Sequence, residues 1–176
     1  MLETFYPGDY LDSTYDIDFE EYYEKGYRGI IFDIDNTLVP HGAPADKRAK
    51  ALFERLHSLG FKTLVLSNNK EPRVKSFAKV VKAKYIFKAD KPSRKGYRRA
   101  MGIMETDESN TLFVGDQLFT DVWGANRTGL YSILVKPIHP KEEIQIVLKR
   151  IPEKWVLYFY NKYKQQKEVN HGTRKQ

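Results

Sequence analysis

Five short apolar runs alternate with amphipathic stretches along most of this 176-residue chain, and that alternation narrows the fold more than any other feature. The runs are 29–34 (GIIFDI), 61–66 (FKTLVL), 85–87 (YIF), 111–114 (TLFV) and 131–135 (YSILV). The first is apolar without a break, the pattern of a strand covered on both faces. Between the runs, residues 46–59 carry helical spacing at Ala49, Leu52, Phe53 and Leu56, and Gly60 suits a helix stop. Further helices are expected from Pro72 to Val81, over 93–101 with Ser93 as cap, over 120–128 and over 142–150. Pro152 is expected to open a last, aromatic helix (WVLYFY) that gives way to a polar tail near Gln165. Strands alternating with helices are the signature of βαβ units with right-handed crossovers. The expected fold is α/β: one Rossmann-like three-layer sandwich around a mostly parallel, five-stranded sheet. An acidic arm (1–28), with a short helix from Phe19 to Lys25 capped by Asp18, precedes this domain (29–150). The aromatic helix and tail follow it (151–176).

In such sheets, ligands bind where the strands end at their carboxyl edge. The residues directly after each apolar run therefore carry the functional information. Asp33 and Asp35 follow the first run, and side chains at i and i+2 of a strand point to one side. Paired carboxylates repel and resist joint burial unless a cation or a proton intervenes. Ser67, Asn68 and Asn69 follow the second run and bring a hydroxyl, two amides and backbone N–H groups near a helix start, the donor set of a phosphate cradle. Lys88 and then Lys91-Pro92 follow the third; Gly115-Asp116, with Asp121 five residues on, follow the fourth. Carboxylates around a hard dication suit Mg²⁺, which takes a few protein oxygens plus phosphate and water. Together these groups allow phosphoryl transfer. One carboxylate attacks phosphorus to form an aspartyl-phosphate, and a second protonates the leaving oxygen and then activates water. Mg²⁺ and a lysine neutralise the phosphoryl charge while hydroxyl and amide groups orient it.

The ordered set resembles the haloacid dehalogenase (HAD) superfamily of phosphatases. The resemblance rests on Asp33-Ile34-Asp35-Asn36-Thr37 as a DxDxT motif, Ser67 at the second strand end, Lys91 before a proline, and Gly115-Asp116-Gln117-Leu118-Phe119-Thr120-Asp121. It covers about residues 29–135. The stretches FDIDNTLV, LVLSNN and VGDQLFTD, with the short acidic arm, are similar to the YqeG-like group, which includes phosphatidylglycerophosphate phosphatases. The resemblance implies that Asp33 is the nucleophile and a metal ligand. Asp35 is then the general acid and base, with its backbone carbonyl on the metal, and Asp116 is a third protein ligand. Asp121 either binds the metal through water or holds Lys91. Ser67, Lys91 and the N–H of Asn68 bind the phosphate, and Thr37 steadies the loop. Members of this superfamily carry caps after the first motif or between the second and third. Here neither interval has room for one, so an open, capless site is expected.

Net charge is +7 but unevenly spread: residues 1–24 hold eight acids and no base, leaving 30 bases against 15 acids in the remainder. The stretch 70–99 alone holds twelve Lys and Arg against Glu71 and Asp90. Such a patch suits an anionic partner, whether a lipid head group, a membrane surface or RNA. The acidic arm is expected to lie against this basic body. The chain has no cysteine, which excludes disulfides, thiol catalysis and cysteine-ligated zinc. The expected location is the cytoplasm, with peripheral contact to a membrane as an extension. The leading reading is a Mg²⁺-dependent phosphomonoester hydrolase acting on phosphatidylglycerophosphate or another accessible phosphate ester. A phospho-receiver domain uses similar groups, but the DxDxT spacing argues against it. The alternative is an RNA- or protein-binding module built on the same fold.

Overall fold

The computed structural model describes residues 2–139 and 144–172. From the N-terminus it runs β1 (Asp9–Leu11), α1 (Phe19–Glu24), β2 (Gly29–Phe32), α2 (Lys47–Leu59), β3 (Lys62–Leu66) and α3 (Glu71–Val81). Then come β4 (Lys84–Ile86), α4 (Arg94–Met104), β5 (Thr111–Gly115), α5 (Trp123–Thr128), β6 (Tyr131–Val135) and α6 (Ile144–Gly172). The strands pair in the order β1-β6-β5-β2-β3-β4, every neighbour parallel. Helix starts follow local chemistry. Asp18 accepts the N–H of Glu21 and Asp46 that of Ala49, each satisfying a first-turn donor that has no partner inside the helix. Gly60 closes α2 at a φ of 98°, a left-handed conformation that a side chain would strain.

The sheet has six strands, not the expected five. The extra one, β1, lies in the acidic arm, where Asp9-Tyr10-Leu11 is too short and polar to read as an apolar run. It pairs only with β6, at the edge, where a strand need not be buried on both faces. The arm is also part of the core: Ile17, Phe19 and Tyr22 are buried with Phe32, Phe53 and Phe61. Its acids meet partners both within the arm and on the body. Asp9 accepts the hydroxyls of Tyr22 (2.5 Å) and Tyr131 (2.7 Å), Glu20 pairs with Arg55, and Asp12 pairs with Lys136. The C-terminal region differs too. Where two helices were expected, α6 runs continuously through Pro152. Downstream of the proline, Val156 and Tyr160 are buried against the body and hold the helix in place. Residues 142 and 143 of the expected 142–150 helix lie outside the described residues.

Alternation along the strands builds the two helical layers. Ile30 and Phe32 of β2, with Leu112 and Val114 of β5, face α2 and α3. Ile31 and Phe113 face α4 and α5, packing with Tyr97, Met101, Met104 and Ala125. The chain moves from β2 outward through β3 and β4, then crosses back to place β5 on the other side of β2. The carboxyl ends of β2 and β5 therefore flank the point where the winding reverses, the position at which such sheets bind ligands.

Tyr15 reports on how firmly the arm is seated. Its hydroxyl donates to the carbonyl of Leu38 at 2.7 Å, and burial, reinforced by Asp46, pushes its pKa up to about 12. An unfolded tyrosine ionises near pH 10. The folded state resists that ionisation, so stability is complete below pH 10 and is lost as pH rises toward 12. Urea unfolding midpoints measured from pH 9 to 12 should fall over that window, and the fall should be shallower in Tyr15→Phe.

Candidate active site

The β2 ladder ends with the N–H of Asp33 donating to Val114 on β5 at 2.9 Å. That bond fixes the register between the two strand ends and sets Asp33 beside the Gly115-Asp116 turn. A π-helical turn follows over Leu118–Val122 and carries Asp121 back toward the sheet. Carboxylate oxygens of Asp33, Asp116 and Asp121 lie within 4.8 Å of one another, and all three residues are buried. Gly115 allows that approach: a Cβ there would stand 2.5 Å from Oδ2 of Asp121.

Lys91 reaches this cluster from the loop after β4. Its ammonium lies 2.5 Å from Oδ1 of Asp33 and 2.7 Å from Oδ1 of Asp121, and the residue is only 8% exposed. Burial alone would lower its pKa, but Asp121 and Asp33 outweigh that, so it stays protonated. For Asp33 the balance runs the other way. Burial raises its carboxyl above the ordinary carboxylate range, Lys91 offsets only part of this, and Asp121 adds to it. Three buried carboxyl groups face one buried ammonium, an arrangement that a proton on Asp33 or a divalent cation would balance.

Surrounding groups hold these side chains in place. Thr37 donates to Oδ1 of Asp116 across a long 3.4 Å, and Thr14 of the arm donates to the Thr37 carbonyl at 2.8 Å. Oδ2 of Asp121 accepts the N–H of Gln117 at 3.1 Å, while the Tyr97 hydroxyl donates to the carbonyls of Thr120 and Asp121. Ser67 is buried at the end of β3, and its hydroxyl accepts the N–H of Asn69 at 3.2 Å. The amide of Asn68 clamps the Lys91 backbone, accepting its N–H at 2.7 Å and donating to its carbonyl at 3.2 Å.

Asp35 stands apart from the three-carboxylate cluster. Its carboxylate accepts from the N–H of Gly42 (2.8 Å), Asn69 (3.0 Å) and the Arg73 guanidinium (2.9 Å). Burial raises its pKa, but Arg73 first, then Gly42 and Asn69, outweigh that and hold it below the ordinary carboxylate range. Sequence reading missed Arg73, because nothing in a one-dimensional pattern says that a residue of α3 reaches the loop after β2. It also missed Glu153 of α6, buried, with Oε1 accepting the N–H of Leu118 at 3.0 Å. A glutamate one position after Pro152 in an aromatic helix gives no sign that it will meet the active-site turn. The two intervals where a cap could be inserted hold a turn between Thr37 and Asp46, and only α3 and β4 between Ser67 and Lys91.

The profile of the HAD-hydrolase-like family matches residues 88–144. The "Probable phosphatase YqeG" of Bacillus subtilis (strain 168) is 40% identical over 140 residues, 78% of this chain and 81% of that protein. Phosphatidylglycerophosphate phosphatase 1 of Arabidopsis thaliana is 31% identical over 74% of this chain, and that of Chlamydomonas reinhardtii 27% identical over 80%. This chain spans 40% and 56% of the lengths of those two proteins. Among solved structures, the cobalt-bound deoxy-D-mannose-octulosonate 8-phosphate phosphatase of Haemophilus influenzae superimposes with a TM-score of 0.51 at 14% identity, over 64% of this chain and 80% of that one. An uncharacterized protein from Corynebacterium glutamicum superimposes with a TM-score of 0.52 at 20% identity, over 72% and 94%. At these identities the likeness is one of fold.

Removing the buried ammonium should expose how much it carries. Lys91→Met leaves Asp33, Asp116 and Asp121 facing one another, and should lower unfolding free energy in chelator-treated buffer by about 3–5 kcal/mol, measured by urea denaturation.

Proposed function

Because the chain belongs to the HAD superfamily of phosphatases, in the group of YqeG and the phosphatidylglycerophosphate phosphatases, we propose that it hydrolyses a phosphomonoester through an aspartyl-phosphate on Asp33, with Mg²⁺ as cofactor. The observation that carries this reading is the convergence of Asp33, Asp116 and Asp121 with Lys91 at the carboxyl ends of β2 and β5.

In the first step, a carboxylate oxygen of Asp33 attacks phosphorus opposite the ester oxygen. A P–O bond to Asp33 forms and the bond to the leaving oxygen breaks. Asp35 gives that oxygen its proton, and the alcohol departs. In the second step, Asp35 takes a proton from water as the water oxygen attacks phosphorus. The bond to Asp33 breaks, releasing inorganic phosphate and restoring both side chains. Lys91 and the Ser67 hydroxyl, with the N–H of Asn68, hold the non-bridging phosphoryl oxygens. Asp121 fixes the Lys91 ammonium in that position, and Thr37 braces the loop. Asp33, Asp116 and Asp121 offer carboxylates, and Asp35 its backbone carbonyl, to Mg²⁺; when bound, the ion withdraws charge from the phosphoryl group and keeps Asp33 ionised. Asp35 cannot serve as an acid while Arg73 holds it ionised. Its pairing with Arg73 is thus a resting arrangement, which opens when the leaving oxygen is within reach.

The substrate we infer is phosphatidylglycerophosphate. Two supports favour it: relatives named for that activity, and an edge on which no inserted cap limits the size of the bound ester. A phosphate presented at a lipid surface needs such access.

Asp33→Asn should retain its melting temperature within a few degrees and lose at least roughly 10³-fold in kcat on an aryl phosphate and on detergent-dispersed phosphatidylglycerophosphate. Full activity of Asp33→Asn would remove the nucleophile assignment. Mg²⁺ should raise the melting temperature of the wild type, by mass action on the folded state, and not that of Asp116→Asn. An equal rise in both would place the ion elsewhere.

A further inference from the structure

Helix α6 has two faces of opposite character. The inner face is anchored: Val156 is buried with Leu118, Val122 and Leu134, Tyr160 packs on Tyr6 with ring centres 5.6 Å apart, and Glu153 holds the N–H of Leu118. The outer face carries Trp155, Tyr158, Phe159 and Lys162, spaced i, i+3, i+4 and i+7, so they share one stripe. Trp155 is 66% exposed, Tyr158 51% and Phe159 43%. Two of these rings contact each other, and one meets a cation. Tyr158 and Phe159 meet edge to face at 5.5 Å, and the Lys162 ammonium sits 5.0 Å from the Tyr158 ring centre. Leaving three large aromatic side chains in water forgoes on the order of 25 cal/mol for every Å² that a partner would cover.

Charge identifies that partner. From Lys154 to Gln166 there are three lysines and no acid. Indole and phenol rings beside lysines, on a helix whose other face is already packed, are the composition of a segment lying in the head-group layer of an anionic bilayer. A second copy of the chain fits less well. A second copy of the same stripe would offer its lysines no acidic partner, because the stretch from Lys154 to Gln166 carries none. No helix among the described residues is long and apolar enough to cross a membrane, so the contact is with a surface. The stripe is also close to the site: Trp155 follows two residues after Glu153, which grips the turn between Asp116 and Asp121.

We propose that Trp155, Tyr158 and Phe159, with Lys154 and Lys162, dock the protein on an anionic lipid surface and so bring its active-site edge to phosphate esters held there. This rests on the lipid reading of the substrate, but the surface can be tested without turnover. The full chain would be sedimented with vesicles of phosphatidylcholine and phosphatidylglycerol in equal parts, and with phosphatidylcholine alone, neither containing a phosphomonoester. Wild type should bind the mixed vesicles, less so at high salt, and bind neutral vesicles weakly. The double variant Trp155→Ala/Phe159→Ala should bind the mixed vesicles about tenfold more weakly or worse, with unchanged melting temperature and unchanged turnover of a soluble aryl phosphate. Wild type that stays in the supernatant, or a double variant that binds as well as wild type, overturns the proposal. So does a wild-type dimer, seen by light scattering, that the double variant converts to monomer. Vesicle binding without hydrolysis of dispersed phosphatidylglycerophosphate would keep the docking surface and reject the lipid substrate. Hydrolysis of that dispersed lipid without vesicle binding would do the reverse.

Discussion

A buried ammonium shared by two buried carboxylates is the constraint on which the site depends. Lys91, Asp33 and Asp121 come from three strand ends, and none could be buried alone at tolerable cost. Each carboxylate makes the lysine acceptable, and the lysine makes both carboxylates acceptable. Asp116 adds a third buried carboxyl group within 4.8 Å. Such a cluster has room for added positive charge, the feature on which the proposed phosphoryl chemistry rests.

The rest of the structure serves to keep those strand ends in register. Parallel pairing aligns Phe32 with Val114, so that Asp33 and Asp116 emerge at one edge. The acidic arm adds β1 to the sheet and sends Thr14 to the Thr37 carbonyl, tying the N-terminal segment to the loop after β2. Helix α6 does the same from the other end of the chain, through Glu153 and Leu118. Both terminal segments thus brace the turns that carry the aspartates, which explains why neither behaves as an appendage.

Asp35 shows where a static arrangement and a reaction differ. Arg73, Asn69 and Gly42 hold it ionised and turned from the cluster, an orientation that suits a carboxylate waiting for substrate. The proposed acid role of Asp35 requires that it be protonated and released from Arg73. Arg73 reaches it from α3, on the same basic stretch that gives the surface its charge.

The order of strands and helices, the open edge and the residues that follow each apolar run could all be read from the chain, because periodicity and strand-end position are local properties. Asp33, Asp116, Lys91 and Ser67 were visible as polar residues placed where apolar runs stop. Three things were not visible. β1 is three residues, Asp9-Tyr10-Leu11, too short to read as an apolar run; Arg73 and Glu153 gain their roles from contacts across 38 and 35 positions. The sequence by itself determined which groups stand at the carboxyl edge, since strand length and alternation decide that within each segment. Only the tertiary structure decided which of them touch, because proximity between distant segments is set by sheet order and helix packing, which no local pattern encodes.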